Sequence, residues 1–317
     1  MSTLEGLVVR AQSGFLTVET EAGEFVCRLR GKLKQGEVDG DIVGIGDLVR
    51  ITPAEDNSGT IEEVYDRIGE ISRVRTGIKR DFRQILLANP DQLVIVFACA
   101  EPEPSLRMLD RFLVIAEKQQ IRALIVANKV DLVSRESAEA IFNPYVEIGY
   151  SMIFTSAKTG SGIETLKEHL KDKISALAGP SGVGKSSLLN SIQPDLGLKV
   201  RSVSETTLKG RHTTHVRALF KLETGGYVAD TPGIRSLALW DTEPEELDGY
   251  FVELRDLVTD CQFNDCTHTH EPGCAVREAV GEGGVSPERY HSYLRLRFGD
   301  EAEPFIGESL PGQPNKQ

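Results

Sequence analysis

Residues 179–186 read Gly179-Pro180-Ser181-Gly182-Val183-Gly184-Lys185-Ser186, a complete GxxxxGK[ST] loop. Its glycines let successive backbone N–H groups turn inward around phosphate oxygens. A strand-like stretch, 174–178, precedes the loop, and a helix-like stretch beginning near Ser187 follows it. A helix N-terminus placed there favours anions further. Lys185 is expected to reach the β- and γ-phosphates, and the Ser186 hydroxyl to ligate Mg²⁺.

Two further loops could read the base. Asn128-Lys129-Val130-Asp131 follows the apolar stretch 124–127. A carboxylate at Asp131 can accept both the N1–H and the N2 amino protons of guanine. Adenine offers no such pair and would leave the carboxylate unpartnered. Asn128 and Lys129 would brace the loop and cover the base. Thr155-Ser156-Ala157-Lys158 ends the next strand-like stretch, and its backbone N–H can meet guanine O6. Both loops together favour GTP over ATP.

Asp230-Thr231-Pro232-Gly233 supplies the remaining corner. Asp230 could hold Mg²⁺, directly or through water, and the Gly233 N–H could meet the γ-phosphate. Between this and the phosphate loop lies a stretch with Thr213 and Thr214. Thr214, or Thr213 in its place, could complete the Mg²⁺ shell and sense the γ-phosphate. Residue 234 is Ile, where many GTPases carry a Gln that orients the attacking water. Isoleucine cannot hydrogen-bond water, so intrinsic hydrolysis should be slow. His212 and Arg211 are local candidates for the missing role. Residue 182 is Gly rather than a potassium-coordinating Asn. The order of these loops is rotated: base-reading loops first, phosphate loop next, DTPG last. Circular permutation would preserve one site while moving the termini.

A second chemistry lies downstream. Cys261, Cys266, His268 and Cys274 offer three sulfurs and an imidazole within fourteen residues. That donor set suits a closed tetrahedral Zn²⁺ site with a structural role. His270 competes with His268 for the fourth position. Cys27 and Cys99 stand alone in apolar surroundings, as buried thiols would.

The elements needed to position these groups can be read from periodicity. Residues 1–68 hold five short β-rich stretches punctuated by Gly and Asp-Asn-Ser-Gly. They predict a small closed barrel, an OB-fold or its SH3-like rival. Residues 69–90 read as a basic linker. Residues 91–240 alternate uninterrupted apolar strands with amphipathic helices, which predicts an α/β domain with a mostly parallel sheet covered on both faces. Residues 241–300 read as polar and mainly helical around the cysteines, and 301–317 as a loose tail.

The chain has 317 residues, a mass of 34.8 kDa and a net charge of −12. It is 40% hydrophobic and 26% charged, which excludes collagen-like or disordered classes. The longest uncharged apolar run, 93–100, is too short to span a bilayer. Five cysteines without an export signal argue against a disulfide framework and for a cytoplasmic location. The negative charge disfavours nucleic acid as a partner, although basic patches at 71–86 and 195–221 permit a phosphate-rich one.

The rotated NKVD, TSAKTG, GPSGVGKSSLLN, GRHTTH and DTPGIR, with a barrel before and the cysteine cluster after, resemble the ribosome small-subunit-dependent GTPases of bacteria, the RsgA family. The resemblance covers nearly the whole chain except the tail. It implies an N-terminal OB-fold, a circularly permuted P-loop GTPase domain and a C-terminal zinc domain. It also implies GTP and GDP as ligands and a role in late maturation of the 30S subunit with its 16S rRNA. The subunit would stimulate hydrolysis. A monomer away from membranes is the default expectation. One alternative is a GTP-stabilised RNA-binding assembly protein with incidental hydrolysis. The other is a P-loop transferase, which the guanine-reading loops disfavour.

Overall fold

The computed structural model describes residues 3–34, 40–75, 82–196, 217–230 and 242–302. Five strands open the chain: β1 (Leu4–Gln12), β2 (Phe15–Thr20), β3 (Gly23–Leu29), β4 (Leu48–Pro53) and β5 (Ser58–Val64). They pair in the order β1-β2-β3-β5-β4, and β4 closes back onto β1. This is an OB-like barrel. Alternation along each strand turns Val8, Val18, Cys27, Ile51 and Ile61 inward as one core. Cys27 and Cys99 are buried, and burial pushes both thiols up to about 11.

The stretch expected as a linker is instead a two-stranded antiparallel ribbon, β6 (Glu70–Arg75) and β7 (Phe82–Ala88). Its basic residues flank a continuous buried run, residues 84–88 of β7. Ile71, Ile85 and Leu87 are buried, and Arg83 Nε is 2.8 Å from Glu70 Oε1 on the ribbon. Arg67 Nε lies 2.7 Å from the fully buried Asp47 carboxylate, tying the ribbon to the barrel.

The next strands and helices alternate: β8 (Gln92–Ala98), α1 (Leu106–Lys118), β9 (Arg122–Asn128), α2 (Arg135–Glu147), β10 (Ser151–Phe154), α3 (Ile163–Leu170), β11 (Ile174–Ala178) and α4 (Lys185–Ile192). β12 (Arg217–Lys221) and β13 (Tyr227–Asp230) complete the sheet. The order is β10-β9-β8-β11-β13-β12, parallel except for β12. Every residue of β8 is buried, and its side chains divide by parity. Leu93, Ile95 and Phe97 pack with α1 and α2, while Val94, Val96 and Ala98 pack with α3 and α4. Each such fully buried side chain contributes roughly 1.5–3 kcal/mol.

The barrel and this sheet are continuous. β1 pairs with β12 at Arg10 and Ala11, making one eleven-stranded sheet. Val9, Ile45 and Leu87 join the same apolar core as β8 and β9.

The C-terminal part has a 3-10 segment, Pro244–Tyr250, then α5 (Val252–Arg255), α6 (Ala275–Glu282) and α7 (Pro287–Phe298). Ser286 caps α7 by accepting the Arg289 N–H, with Pro287 in the first turn. The segment packs on α1, where Lys118 Nζ is 3.6 Å from Glu246 Oε2. No helix among the described residues is long and apolar enough to cross a membrane.

Candidate guanine-nucleotide site and metal centre

The parallel strands deliver the base-reading and phosphate loops to one edge of the sheet. β9 runs out into Asn128, β10 into Thr155 and β11 into Gly179. Gly179 has φ +133° and passes so close to β8 that a Cβ would lie 2.1 Å from Val96 O. Gly184 caps α4 at φ +95°, and a Cβ there would meet Asn128 Nδ2 at 2.5 Å. Only glycine fits either position. The turn between them holds Pro180, Ser181, Gly182 and Val183. Lys185, Ser186 and Ser187 form the first turn of α4. The Lys185 side chain is buried and donates to Gly179 O at 2.8 Å and Pro180 O at 2.6 Å. Its ammonium is thereby held inside the loop.

One buried amide binds its own loop to two distant segments. Asn128 Nδ2 donates to Val183 O at 2.8 Å in the phosphate loop. Its Oδ1 accepts from Thr155 Oγ1 at 3.2 Å and from the Ala157 N–H at 3.4 Å. Ser191 Oγ, on α4, donates to Ala157 O at 3.1 Å. Ser191 carries no motif of its own, and only the fold shows its part.

Asp131 faces the loop after β10. Ser156 Oγ donates to its Oδ1 at 2.6 Å, and Lys158 Nζ stands 3.8 Å from its Oδ2. The Ser156 bond, helped by the charges of Lys158 and Lys129, holds the carboxyl below its ordinary range. Asp131 is therefore a charged acceptor at neutral pH. Lys129 takes a left-handed backbone, φ 64°, and its Nζ donates to Glu101 O.

Asp230 closes β13 beside Leu177 of β11, on the phosphate-loop side of the sheet. Thr213, Thr214, His212, Gly233 and Ile234 lie outside the described residues.

The cysteine cluster is closed and well formed. The donor atoms of Cys261, Cys266, His268 and Cys274 all lie within 4.8 Å of one another. Cys261 Sγ is 3.9 Å from Cys274 Sγ, and His268 Nδ1 is 3.6 Å and 3.4 Å from those two sulfurs. Tetrahedral Zn–S bonds of 2.3 Å require S···S edges of about 3.8 Å. The residues thus fit a four-coordinate metal ion of zinc's size. His270 is exposed and bonds Thr269 Oγ1 instead, so His268 is the fourth donor.

His268 is fully buried, at φ 60°. Its Nε2 is 3.2 Å from Asp248 Oδ2, and its carbonyl accepts from Tyr290 OH at 2.5 Å. An Nε2–H given to Asp248 leaves the Nδ1 lone pair facing the sulfurs. Such partners fix the tautomer and raise ligand basicity. Asp248→Asn is expected to shorten metal retention about 10–100-fold, measured as faster loss of the ion to a competing chelator. Glu271 organises the same loop. Burial works to raise its carboxyl, but the Thr267 hydroxyl and N–H and the Thr269 N–H outweigh this and hold it down to about 2.

A buried ionic knot joins this region to α1. Arg289 Nε and Nη2 donate to Glu253 at 2.6 and 2.9 Å, and its Nη1 to Asp110 Oδ1 at 2.6 Å. Tyr145 OH donates to the same Asp110 oxygen at 2.7 Å. Burial works against the Arg289 charge, yet Glu253 and Asp110 together raise its pKa above the ordinary value.

The family model described as RsgA GTPase matches residues 64–240, and the RsgA N-terminal domain matches residues 5–61. The small ribosomal subunit biogenesis GTPase RsgA of Gemmatimonas aurantiaca is 46% identical over 296 residues, covering 92% of this chain and 96% of that protein. Its namesake from Thermotoga maritima is 44% identical over 298 residues, covering 92% and 95%. Among solved structures, YjeQ from Thermotoga maritima superposes with a TM-score of 0.76 at 39% identity, covering 97% of this chain and 100% of that one. YloQ, described as a circularly permuted GTPase, gives 0.73 at 32% identity, covering 97% and 98%. Rotated motif order, a sheet that gathers its loops at one edge, and these matches agree: the chain is a circularly permuted GTPase and belongs to the RsgA family.

Proposed function

We propose that this chain hydrolyses GTP in step with late maturation of the 30S ribosomal subunit. The subunit and its 16S rRNA stimulate hydrolysis, and hydrolysis releases the protein. The observation that carries the nucleotide half is the Asn128 amide, which binds the phosphate loop to Thr155 and Ala157, on either side of the Ser156 that bonds Asp131. The ribosomal half rests on relatives named small ribosomal subunit biogenesis GTPase.

Within this reading, Asp131 accepts guanine N1–H and N2–H, flanked by Asn128, Lys129 and the loop Ser156, Ala157 and Lys158. Residues 179–187 wrap the phosphates, and Lys185 meets the β- and γ-oxygens. Ser186, Asp230 and Thr214 (or Thr213) are the residues that would hold Mg²⁺, which neutralises phosphate charge when bound. The Gly233 N–H meets the γ-phosphate. Ile234 offers no bond to the attacking water, so the particle completes the positioning, with His212 as the chain's own candidate. Cys261, Cys266, His268 and Cys274 hold Zn²⁺. Four protein donors leave no open position for catalysis, so its role is structural. The protein works as a cytoplasmic monomer.

Co-sedimentation tests the switch. With a non-hydrolysable GTP analogue the protein should pellet with small subunits, and with GDP it should stay in solution. Large subunits should retain neither form. Equal retention in both nucleotide states would sink the release step.

A further inference from the structure

The C-terminal region has a charge that RNA would not select. Residues 242–302 hold fourteen Asp and Glu against five Arg and no Lys. Nine of those acids are exposed, against one exposed cation, Arg255. Arg255 itself stands 3.7 Å from Glu117. The other arginines are turned inward. Arg289 is spent on Glu253 and Asp110, and Arg297 donates to Tyr293 OH. Arg277 and Arg295 are half-buried with partners of their own. Phosphate binding relies on free Lys and Arg, and this surface presents almost none.

On this acidic surface stands an exposed aromatic ring. Phe263 is 41% exposed, the sole large apolar side chain so exposed among the described residues of the region. It occupies the tip between two donors of the metal cluster, Cys261 and Cys266. Phe263 O accepts the Cys266 N–H at 3.3 Å, and the Gln262 N–H reaches Gly273 O at 3.0 Å. Asp260 and Asp265, which flank it along the chain, are both exposed. The tip is thus pinned by its own bonds and by the donor cluster, and little ordering remains to be done on binding.

We infer that this tip is a docking site for a Lys/Arg-rich protein segment. One guanidinium or ammonium of that segment lies over the Phe263 ring, and its neighbours pair with Asp260 and Asp265. A cation is the one group that suits both the ring face and the flanking carboxylates. A nucleic-acid strand would gain a stacking surface for one base at best, while its phosphates would meet the carboxylates of Asp260 and Asp265. Where the ribosomal reading above holds, the segment belongs to a protein of the particle rather than to its RNA.

The test uses the full, metal-loaded chain with two fluorescent probes, an Arg/Lys-rich peptide and a single-stranded RNA of matched length, followed by anisotropy. Peptide affinity should fall about tenfold in Phe263→Ala. In Asp260→Lys with Asp265→Lys it should fall roughly 10–100-fold, because attraction becomes like-charge repulsion. RNA affinity should be unchanged or rise in the charge-reversed variant. All three positions are exposed, and retained metal content checks that the variants are folded. The proposal is overturned if the peptide does not bind, if the variants bind it as the parent does, or if Phe263→Ala weakens RNA alone. Failure of the parent to sediment with small subunits would instead sink the ribosomal reading, leaving the peptide result intact.

Discussion

Asp131→Asn is expected to lose GTP and gain xanthosine triphosphate. In the proposed reading the carboxylate would accept two guanine protons, while Ser156 holds it charged. Hydrogen bonds to charged groups contribute about 1.5–3 kcal/mol each. The variant keeps an acceptor for N1–H but turns an NH₂ toward the N2 amino group. One lost charged bond, about 1.5–3 kcal/mol, and an unmet donor, about 1–3 kcal/mol, together remove roughly 10²–10⁴ in affinity. The variant amide restores the match to xanthine, donating to its O2 and accepting its N1–H. Competition binding of GTP, ATP and xanthosine triphosphate to parent and variant measures the change. An unaltered preference for guanine would show that another group reads the base.

Arg289→Met is expected to destabilise the protein by about 3–5 kcal/mol, because it strands two buried carboxylates. Asp110 is 2% exposed, and the Glu253 side chain 6%. The loss should be read as a lower denaturant midpoint. Replacing all three with apolar residues of similar volume should recover most of it, since burying an ion pair is close to neutral against well-packed apolar side chains. Asp110 lies on α1 and Arg289 on α7, so the single variant should also let the C-terminal region open first. Hydrogen exchange would then rise over 242–302 ahead of β8 and β9. A variant as stable as its parent would show that the knot carries no net stabilisation.

The two chemistries differ in how far sequence reveals them. The phosphate loop, Asn128 to Asp131 and the cysteine cluster are short-range patterns, with all their chemistry inside a few consecutive residues. The unbroken apolar run of β8 is equally local, and so the α/β domain was legible. What was not legible depends on distant partners. Arg289 and Asp110 are 179 positions apart, and no spacing rule relates them. Asp248 comes twenty residues before the His268 it orients, on a separate turn. The ribbon of β6 and β7 reads as a linker because its charge density outweighs one short apolar run, Ile85 to Ala88, whose partner Ile71 lies on the other strand. The union of β1 with β12 joins strands far apart in the chain, through two residue pairs among the described residues. Neither strand's own pattern announces its neighbour.

That union bears on function. β12 directly follows the stretch that holds Thr213 and Thr214, and its Lys221 pairs with Glu19 of the barrel. The barrel is therefore hydrogen-bonded to the strand nearest the proposed switch.

GTP turnover by the purified protein, alone and with small or large ribosomal subunits, tests the central claim most directly. The account predicts slow turnover alone, because Ile234 cannot position water. Small subunits alone should raise it, by up to about 10³–10⁵ if they supply what activating partners supply in other GTPases. Equal, slow turnover in all three mixtures would contradict it.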